Sequence, residues 1–398
     1  MTPSTNVKNE LNPLFEMGYP NSSFSHYRTR MLTDRGIIKL LQSPFIKLNP
    51  PILNDELYTR VQPTSIDLRV SHIESIEDIF KCSIDWPSKS KPIIIPPDNI
   101  AELSLQDNIA SLVIESMTTN HSHGTLPYHC IHFKTVARSS MVRNGPFDSL
   151  GTLILSTDGN SLCLTIKNIS PNSIKFEPGE RIGQVFIEPQ IFFDHYLQSW
   201  DIGGKPINTP EGDFIRSLDM GVEIRTEETL RYLAKEGYFS LLNKTNSDFE
   251  IKEGAIVLHA SSKAKRMRKL DFTLEFKNRK EYEESGILYE DIDISNGYTI
   301  QKREMIVIDA QESLKLSKHI GMQLYGRIGL PNLTWADPGY NGIMAGFPKL
   351  PGVTIRPGDP IGLLRVFYYP KGVETPYGDK KRNSQYQGQK TFQVGARE

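Results

Sequence analysis

The chain has 398 residues, enough for two domains of ordinary size. A formal net charge of −1, with 38% hydrophobic and 23% charged residues, fits a globular protein and excludes a global field that would draw it onto nucleic acid. The three cysteines, Cys82, Cys130 and Cys163, lack paired spacing and exclude a disulfide framework, and no run of about 18 apolar residues is present to span a membrane.

Residues 1–30 are polar, rich in Asn, Ser and Pro, and lack the apolar centre of a signal peptide, so a mobile arm and a reducing, cytoplasmic setting are expected. A first domain is expected over 31–190. It opens on Leu32-Thr-Asp-Arg-Gly-Ile-Ile-Lys-Leu-Leu41, where Thr33 or Asp34 caps a short helix with apolar positions at 37, 38, 40 and 41. In Ser65-Ile-Asp-Leu-Arg69 the alternation turns Ile66 and Leu68 inward and Asp67 outward or toward an interface. Short β-type runs follow at Leu150–Leu155, Leu162–Ile166 and Ile182–Ile187. Residues 191–213, with Gly203-Gly204, Pro206 and Pro210, are expected to be a linker.

A second domain is expected over 214–398. Thr226 caps another short helix, closed by Gly237, and further β-type runs lie at Met305–Ile308 and Ile361–Phe367. Four landmarks recur between the halves at slowly drifting offsets. Thr33 and Thr226 are 193 residues apart. Ser65-Ile-Asp-Leu-Arg69 and Ala255-Ile-Val-Leu-His259 are 190 apart, and Arg138 and Arg327 are 189 apart. Pro178-Gly-Glu-Arg-Ile-Gly183 and Pro357-Gly-Asp-Pro-Ile-Gly362 are 179 apart. Ordered recurrence of this kind indicates a tandem duplication with late deletions in the second copy. Strands this short and frequent favour a barrel or jelly roll over a doubly wound fold.

The segment Arg138-Ser139-Ser140-Met141-Val142-Arg143 carries two guanidinium groups and two hydroxyls within six residues, a donor set suited to phosphate oxygens. With Gln62–Arg69 before it and Pro178–Gln184 after it, the ordered set resembles the dCTP deaminase and dUTPase superfamily. The second half resembles the same superfamily at Gly326-Arg327, Asp337-Pro-Gly-Tyr-Asn-Gly342, Pro357–Gly362, Pro376-Tyr-Gly378 and Tyr386-Gln-Gly-Gln389, and its tail is closer to the deaminase branch.

The resemblance implies a mainly β chain of two tandem dUTPase-like distorted β-barrel or jelly-roll domains with short helices. It also implies a homo-oligomer of trimer type, with nucleotide sites between barrels. Ser139 and Ser140 would contact phosphate and Arg143 the triphosphate, while Arg138 would either join them or hold an interface. Asp337 would lie near the deoxyribose hydroxyl, as the candidate catalytic carboxylate, with Tyr340 beside it. The same four residues also make an ordinary Asp-Pro-Gly-Tyr turn. Gln184, Tyr386, Gln387 and Gln389 would bond phosphate or base edges. Asp67, Arg69 and Arg327 are expected in structural or interface roles, Asp67 through an ion pair with Arg69 or Arg138.

Departures from the pattern are equally specific. The deaminases' water-activating glutamate falls on Thr165 in the first copy and near Gly346 or Phe347 in the second. The second copy has Ile328-Gly329 in place of the paired serines. The first has no Asp-x-Gly-Tyr, and Ser156-Thr-Asp-Gly-Asn160 is a poor substitute. Asp337, Asp158 and Glu180 remain as candidate carboxylates. Because the losses are complementary, one site built between unlike copies is expected. The reaction implied is deamination of dCTP to dUTP, with Mg²⁺ carried on the triphosphate. The alternatives are a dUTPase-like pyrophosphatase and a catalytically silent nucleotide-binding protein. His121, His123, His129 and His132 lack the His-x-Glu and Pro-Cys-x-x-Cys of zinc deaminases, so no protein-bound metal is expected. The basic run Lys263–Lys269 is expected to be a solvated strand edge.

Overall fold

The structure, a computed structural model, describes residues 30–42, 60–78, 81, 83–85, 87–88, 91–106, 131–137, 147–155, 162–189, 192–194, 199–202, 205–206, 217–241, 248–278, 281–282, 285–326, 334–346, 351–380 and 387. In chain order the elements that build the first half are β1 (Arg30–Leu32), α1 (Asp34–Leu41), β2 (Ser65–Asp78), β3 (Asn99–Leu105), β4 (Ile131–Ala137), β5 (Phe147–Leu155), β6 (Leu162–Asn168), β7 (Ile174–Phe176) and β8 (Arg181–Pro189). The second half is built from β9 (Met220–Ile224), α2 (Glu227–Lys235), β10 (Ala255–Met267), β11 (Leu274–Glu275), β12 (Ile306–Leu316), β13 (Ile320–Gly326), β14 (Thr334–Ala336), β15 (Asn341–Gly346) and β16 (Pro360–Tyr368). The chain is mainly β, with several sheets and two short capped helices among the described residues. Thr33 and Thr226 are the N-caps, accepting from the amides of Gly36 and Thr229.

One sheet runs β4-β8-β2-β3-β6-β5; a larger one runs β1-β9-β16-β10-β12 onward, with β13 on β16 and β15 on β12. The register is the same in both halves. Gly183 of β8 stands opposite Leu68 and Ala137, and Gly362 of β16 opposite Leu258 and Gly326. Both central pairs then slip at the same place, to Arg181 opposite Arg69 and Pro360 opposite His259. The turn glycines ahead of these strands, Gly179 and Gly358, adopt φ of +90° and +89°, where a Cβ would be strained.

Alternation decides what is buried. Ile66, Leu68 and Val70 of β2 meet Ile182, Val185 and Ile187 of β8 in one core, and Ile256 and Leu258 meet Ile361, Leu364 and Val366 in the other. The halves are not separate bodies. Met267, Leu274, Phe276 and Val307 of the second half pack into the first core. Strand β7 pairs in parallel with β11, and β1 pairs with β9, so residues 30–32 extend the sheet of the second half. A small third cluster of Met31, Phe186, Phe367 and Tyr369 fills the seam, with Trp335 packed on it.

Gly221 lies against this cluster. A Cβ there would stand 2.4 Å from two ring carbons of Tyr369 and 3.0 Å from the carbonyl oxygen of Tyr368. Gly221→Ala is expected to lower stability by about 1–3 kcal/mol through overpacking; an unchanged urea midpoint would show that the ring can retreat.

Within the stretch expected to be a linker, Phe192–Asp194, Ser199–Ile202 and Lys205–Pro206 form a three-stranded sheet. One expectation is corrected. The basic run is not a sheet edge. Lys265 and Arg266 lie on β10 between β12 and the strand Tyr289–Asp293, where Lys265 pairs with Asp291 at 2.8 Å and Arg266 with Glu290, while Arg268 and Lys269 follow the end of β10. Cross-strand acids neutralise Lys265 and Arg266, while Lys263, Arg268 and Lys269 are exposed as expected.

Candidate functional site

The outward residues of β2 and β8 make a buried polar patch in the first half. Asp67 is fully buried and stands directly opposite Gln184. Its Oδ1 accepts from the Gln184 amide at 3.4 Å and its Oδ2 from the Gln62 amide at 3.2 Å. The ion pair found is with Arg181, at 3.7 Å, and the buried Arg60 guanidinium donates to the Asp67 carbonyl at 3.1 Å. Arg69, two residues on and half-buried, is the strand partner of Arg181. In the second half the places of Asp67 and Gln184 are taken by Val257 and Leu363, themselves strand partners. Among the described residues the polar patch is built once.

Asp337 sits at the start of a turn closed by the Tyr340 amide donating to the Asp337 carbonyl at 2.9 Å. Pro338 and Gly339, the latter at φ +90°, suit the two central positions of a type II turn. The carboxylate crosses the seam: Thr64 of the first half, buried, donates from Oγ1 to Asp337 Oδ1 at 3.1 Å. Tyr340 does not offer a free ring face. It is 6% exposed, packs 5.7 Å from Tyr377 and donates its hydroxyl to the Ile343 carbonyl at 2.7 Å. Its observed work is to brace the turn that carries Asp337.

The tail lies over the same turn. The Tyr377 amide donates to the Pro338 carbonyl at 2.7 Å, and Gln387 brackets the turn by donating to the Gly339 carbonyl and accepting from the Asn341 amide. The amide of Gln387, expected to meet a ligand, is thus spent on backbone. Behind the turn, Tyr369 is fully buried and its hydroxyl has no partner among the described residues. Burial first, then the charges of Asp337 and Glu188, push that hydroxyl well above the usual tyrosine range, so it stays protonated.

Arg138, Ser139, Ser140, Arg143, Arg327, Tyr386 and Gln389 lie outside the described residues, as do Asp158, Phe347, His121, His123 and His129. The strand leading to Arg138 does not: Ala137 ends β4 opposite Gly183, next to the Asp67–Gln184 pair. Thr165 is half-buried on β6, with no partner for its hydroxyl among the described residues. Its strand partner on β3 is Glu102. Glu180 uses its carboxylate to accept from the Glu177 amide at 2.9 Å, closing the Pro-Gly turn. Among the described residues no group of three His, Cys, Asp or Glu side chains could hold a metal ion, and no helix is long and apolar enough to cross a membrane. Sequence reasoning passed over Thr64, Arg181 and Glu188. Thr64 lies inside the Gln62–Arg69 motif, which was the available signal.

No family model matches the chain. It is 30% identical over 112 residues to the "dCTP deaminase, dUMP-forming" of Corynebacterium glutamicum, in strain R and in strain ATCC 13032, and 29% identical over 113 residues to that of Corynebacterium efficiens. Each alignment covers 25% of this chain and about 59% of the relative, so the chain spans less than two thirds of the curated relatives it matches. The fold matches a crystal structure of 2'-deoxycytidine 5'-triphosphate deaminase from Agrobacterium tumefaciens with a TM-score of 0.58 at 13% identity, over 87% of this chain and 99% of that one. The mainly β architecture is therefore similar to the fold of that deaminase. The chain is thus similar in fold to a dCTP deaminase and, over a quarter of its length, similar in sequence to dCTP deaminases.

Proposed function

We propose that this protein is a dCTP deaminase, releasing ammonia from the cytosine of dCTP to give dUTP, with one nucleotide site built between its two unlike copies. The observation that carries the reading is the Thr64–Asp337 hydrogen bond. It joins the polar patch of the first copy to the Asp-Gly-Tyr turn of the second. The end of β4 supports it, since Ala137, the residue before Arg138 in the chain, stands opposite Gly183, next to Gln184.

In this reading Arg138 or Arg143, with the serines, clamps the triphosphate through charged hydrogen bonds, and Gln184 lines the same wall. Asp337 holds the deoxyribose. Tyr386 and Gln389 close from the tail, and Asp67, Arg69 and Arg327 fix the frame. Mg²⁺ arrives on the substrate and zinc is not used. Attack of water at C4 needs a general base. Thr165 supplies no carboxylate, and Glu102 is the acid directly across the strand from it. The repeated register supports a tandem duplication, and a trimer-type homo-oligomer in the cytoplasm completes the proposal.

Incubation of the pure chain with dCTP is expected to release ammonia in step with loss of the cytosine absorbance. The relatives are described as dUMP-forming, so pyrophosphate is followed in parallel. Pyrophosphate from dUTP with no ammonia from dCTP would replace the reading by a dUTPase-like one. Binding of dCTP without either product would leave a silent nucleotide-binding protein.

A further inference from the structure

The first residue of helix α1, after the Thr33 cap, is a carboxylate that reaches beyond its own helix. Asp34 is 2% exposed. Its Oδ1 accepts from its neighbour, the Arg35 amide, and from the Glu374 amide at 3.0 Å, while Oδ2 accepts from the Thr375 amide at 2.9 Å. Arg35 reinforces the grip, donating to Asp219 at 2.7 Å and to the Gly372 carbonyl at 2.6 Å. A first-copy helix thus holds the chain that follows the last strand of the second copy.

That segment runs straight onto the Asp337 turn. Pro376 and Tyr377 press on Gly339 so closely that a Cβ there would stand 2.7 Å from Pro376 Cβ and 2.8 Å from the Tyr377 carbonyl oxygen. The Tyr377 amide donates to Pro338. On the far side Thr64 donates to the Asp337 carboxylate, and the adjoining Pro63 carbonyl accepts from the Asp34 amide at 2.9 Å. The hydrogen bonds form a closed circuit: Asp34 side chain, residues 374–377, the turn, Asp337, Thr64, Pro63 and back to the Asp34 backbone. It crosses between the copies twice.

We propose that Asp34 is a positioning residue for Asp337, acting through residues 374–377 to set where that carboxylate stands. A carboxylate accepting two amides across the seam is a strong, directional tie, whereas an amide in its place can accept from only one of them and turns a donor toward the other. The clasp stands on the geometry alone. Its consequence for substrate rests on the reading that Asp337 meets the deoxyribose.

The test is Asp34→Asn in the full chain, with amide hydrogen exchange and calorimetric binding of dCTP and CTP. Protection of the Glu374, Thr375 and Tyr377 amides is expected to fall about tenfold, and the preference for dCTP over CTP by a similar factor, the size expected for losing a hydrogen bond to a charged group. A role confined to helix capping would leave Tyr377 protection and the nucleotide preference unchanged, and either result overturns the proposal. If Asp34→Asn does not fold, Thr64→Val cuts the circuit on the other side of Asp337. The preference must then fall by the same route, and a preference equal to wild type overturns the proposal. A wild-type chain that binds neither nucleotide would sink the dCTP reading, while the exchange data would still decide the clasp.

Discussion

Arg138→Ala and Asp337→Ala are each expected to abolish tight dCTP binding, lowering affinity by about a hundredfold as charged hydrogen bonds are lost. Calorimetry should show one nucleotide per chain in the wild type. The two substitutions lie in different copies, so a shared site predicts that either one empties it. Two independent sites predict that each substitution leaves half the stoichiometry, and that result would reject the arrangement. The shared site is proposed on chemical grounds. The first copy carries the buried Asp67–Gln184 pair, and the second has Val257 and Leu363 at the same register. An apolar wall cannot orient phosphate, and the first copy has no Asp-Gly-Tyr turn to hold a sugar.

The second large effect is on stability. Phe186 is fully buried, packs 5.1 Å from the Trp335 ring and belongs to the seam cluster with Met31, Phe367 and Tyr369. Phe186→Ala leaves a cavity between copies that strands on both sides hold open, so a loss of about 3–5 kcal/mol is expected in urea unfolding. Phe186 is also the strand partner of Ser65, next to Thr64, so dCTP affinity should weaken along with stability. A cost below about 1 kcal/mol would mean that the seam closes over the missing ring.

Much of the fold was legible because its causes are local. Alternation at Ile66, Leu68 and Val70 needs only the two-residue strand period, and Thr33 and Thr226 cap their helices within three residues. The Pro-Gly turns read directly, since positive φ selects glycine at 179 and 358. The site was legible only as an ordered set of motifs. Tyr340 shows the limit: an aromatic beside an acid suggests a ligand wall, yet core packing claimed the ring and the Ile343 carbonyl claimed its hydroxyl. The basic run shows another, because its neutralising partners Glu290 and Asp291 sit on a strand that no local pattern assigns to it.

The amino-acid sequence by itself determined the β class, the repeated landmarks, and the uneven distribution of the Arg-Ser-Ser and Asp-Pro-Gly-Tyr motifs between the two halves. These follow from side-chain period, turn chemistry and residue type, which act over a few positions. Only the tertiary structure decided that residues 30–32 join the sheet of the second half, that Asp34 grips residues 374 and 375, and that Thr64 reaches Asp337 across 273 positions of chain. Those contacts depend on how two packed sheets meet. Hydrogen-bond partners so far apart in sequence are selected by the shape and burial of the seam, which no short segment encodes.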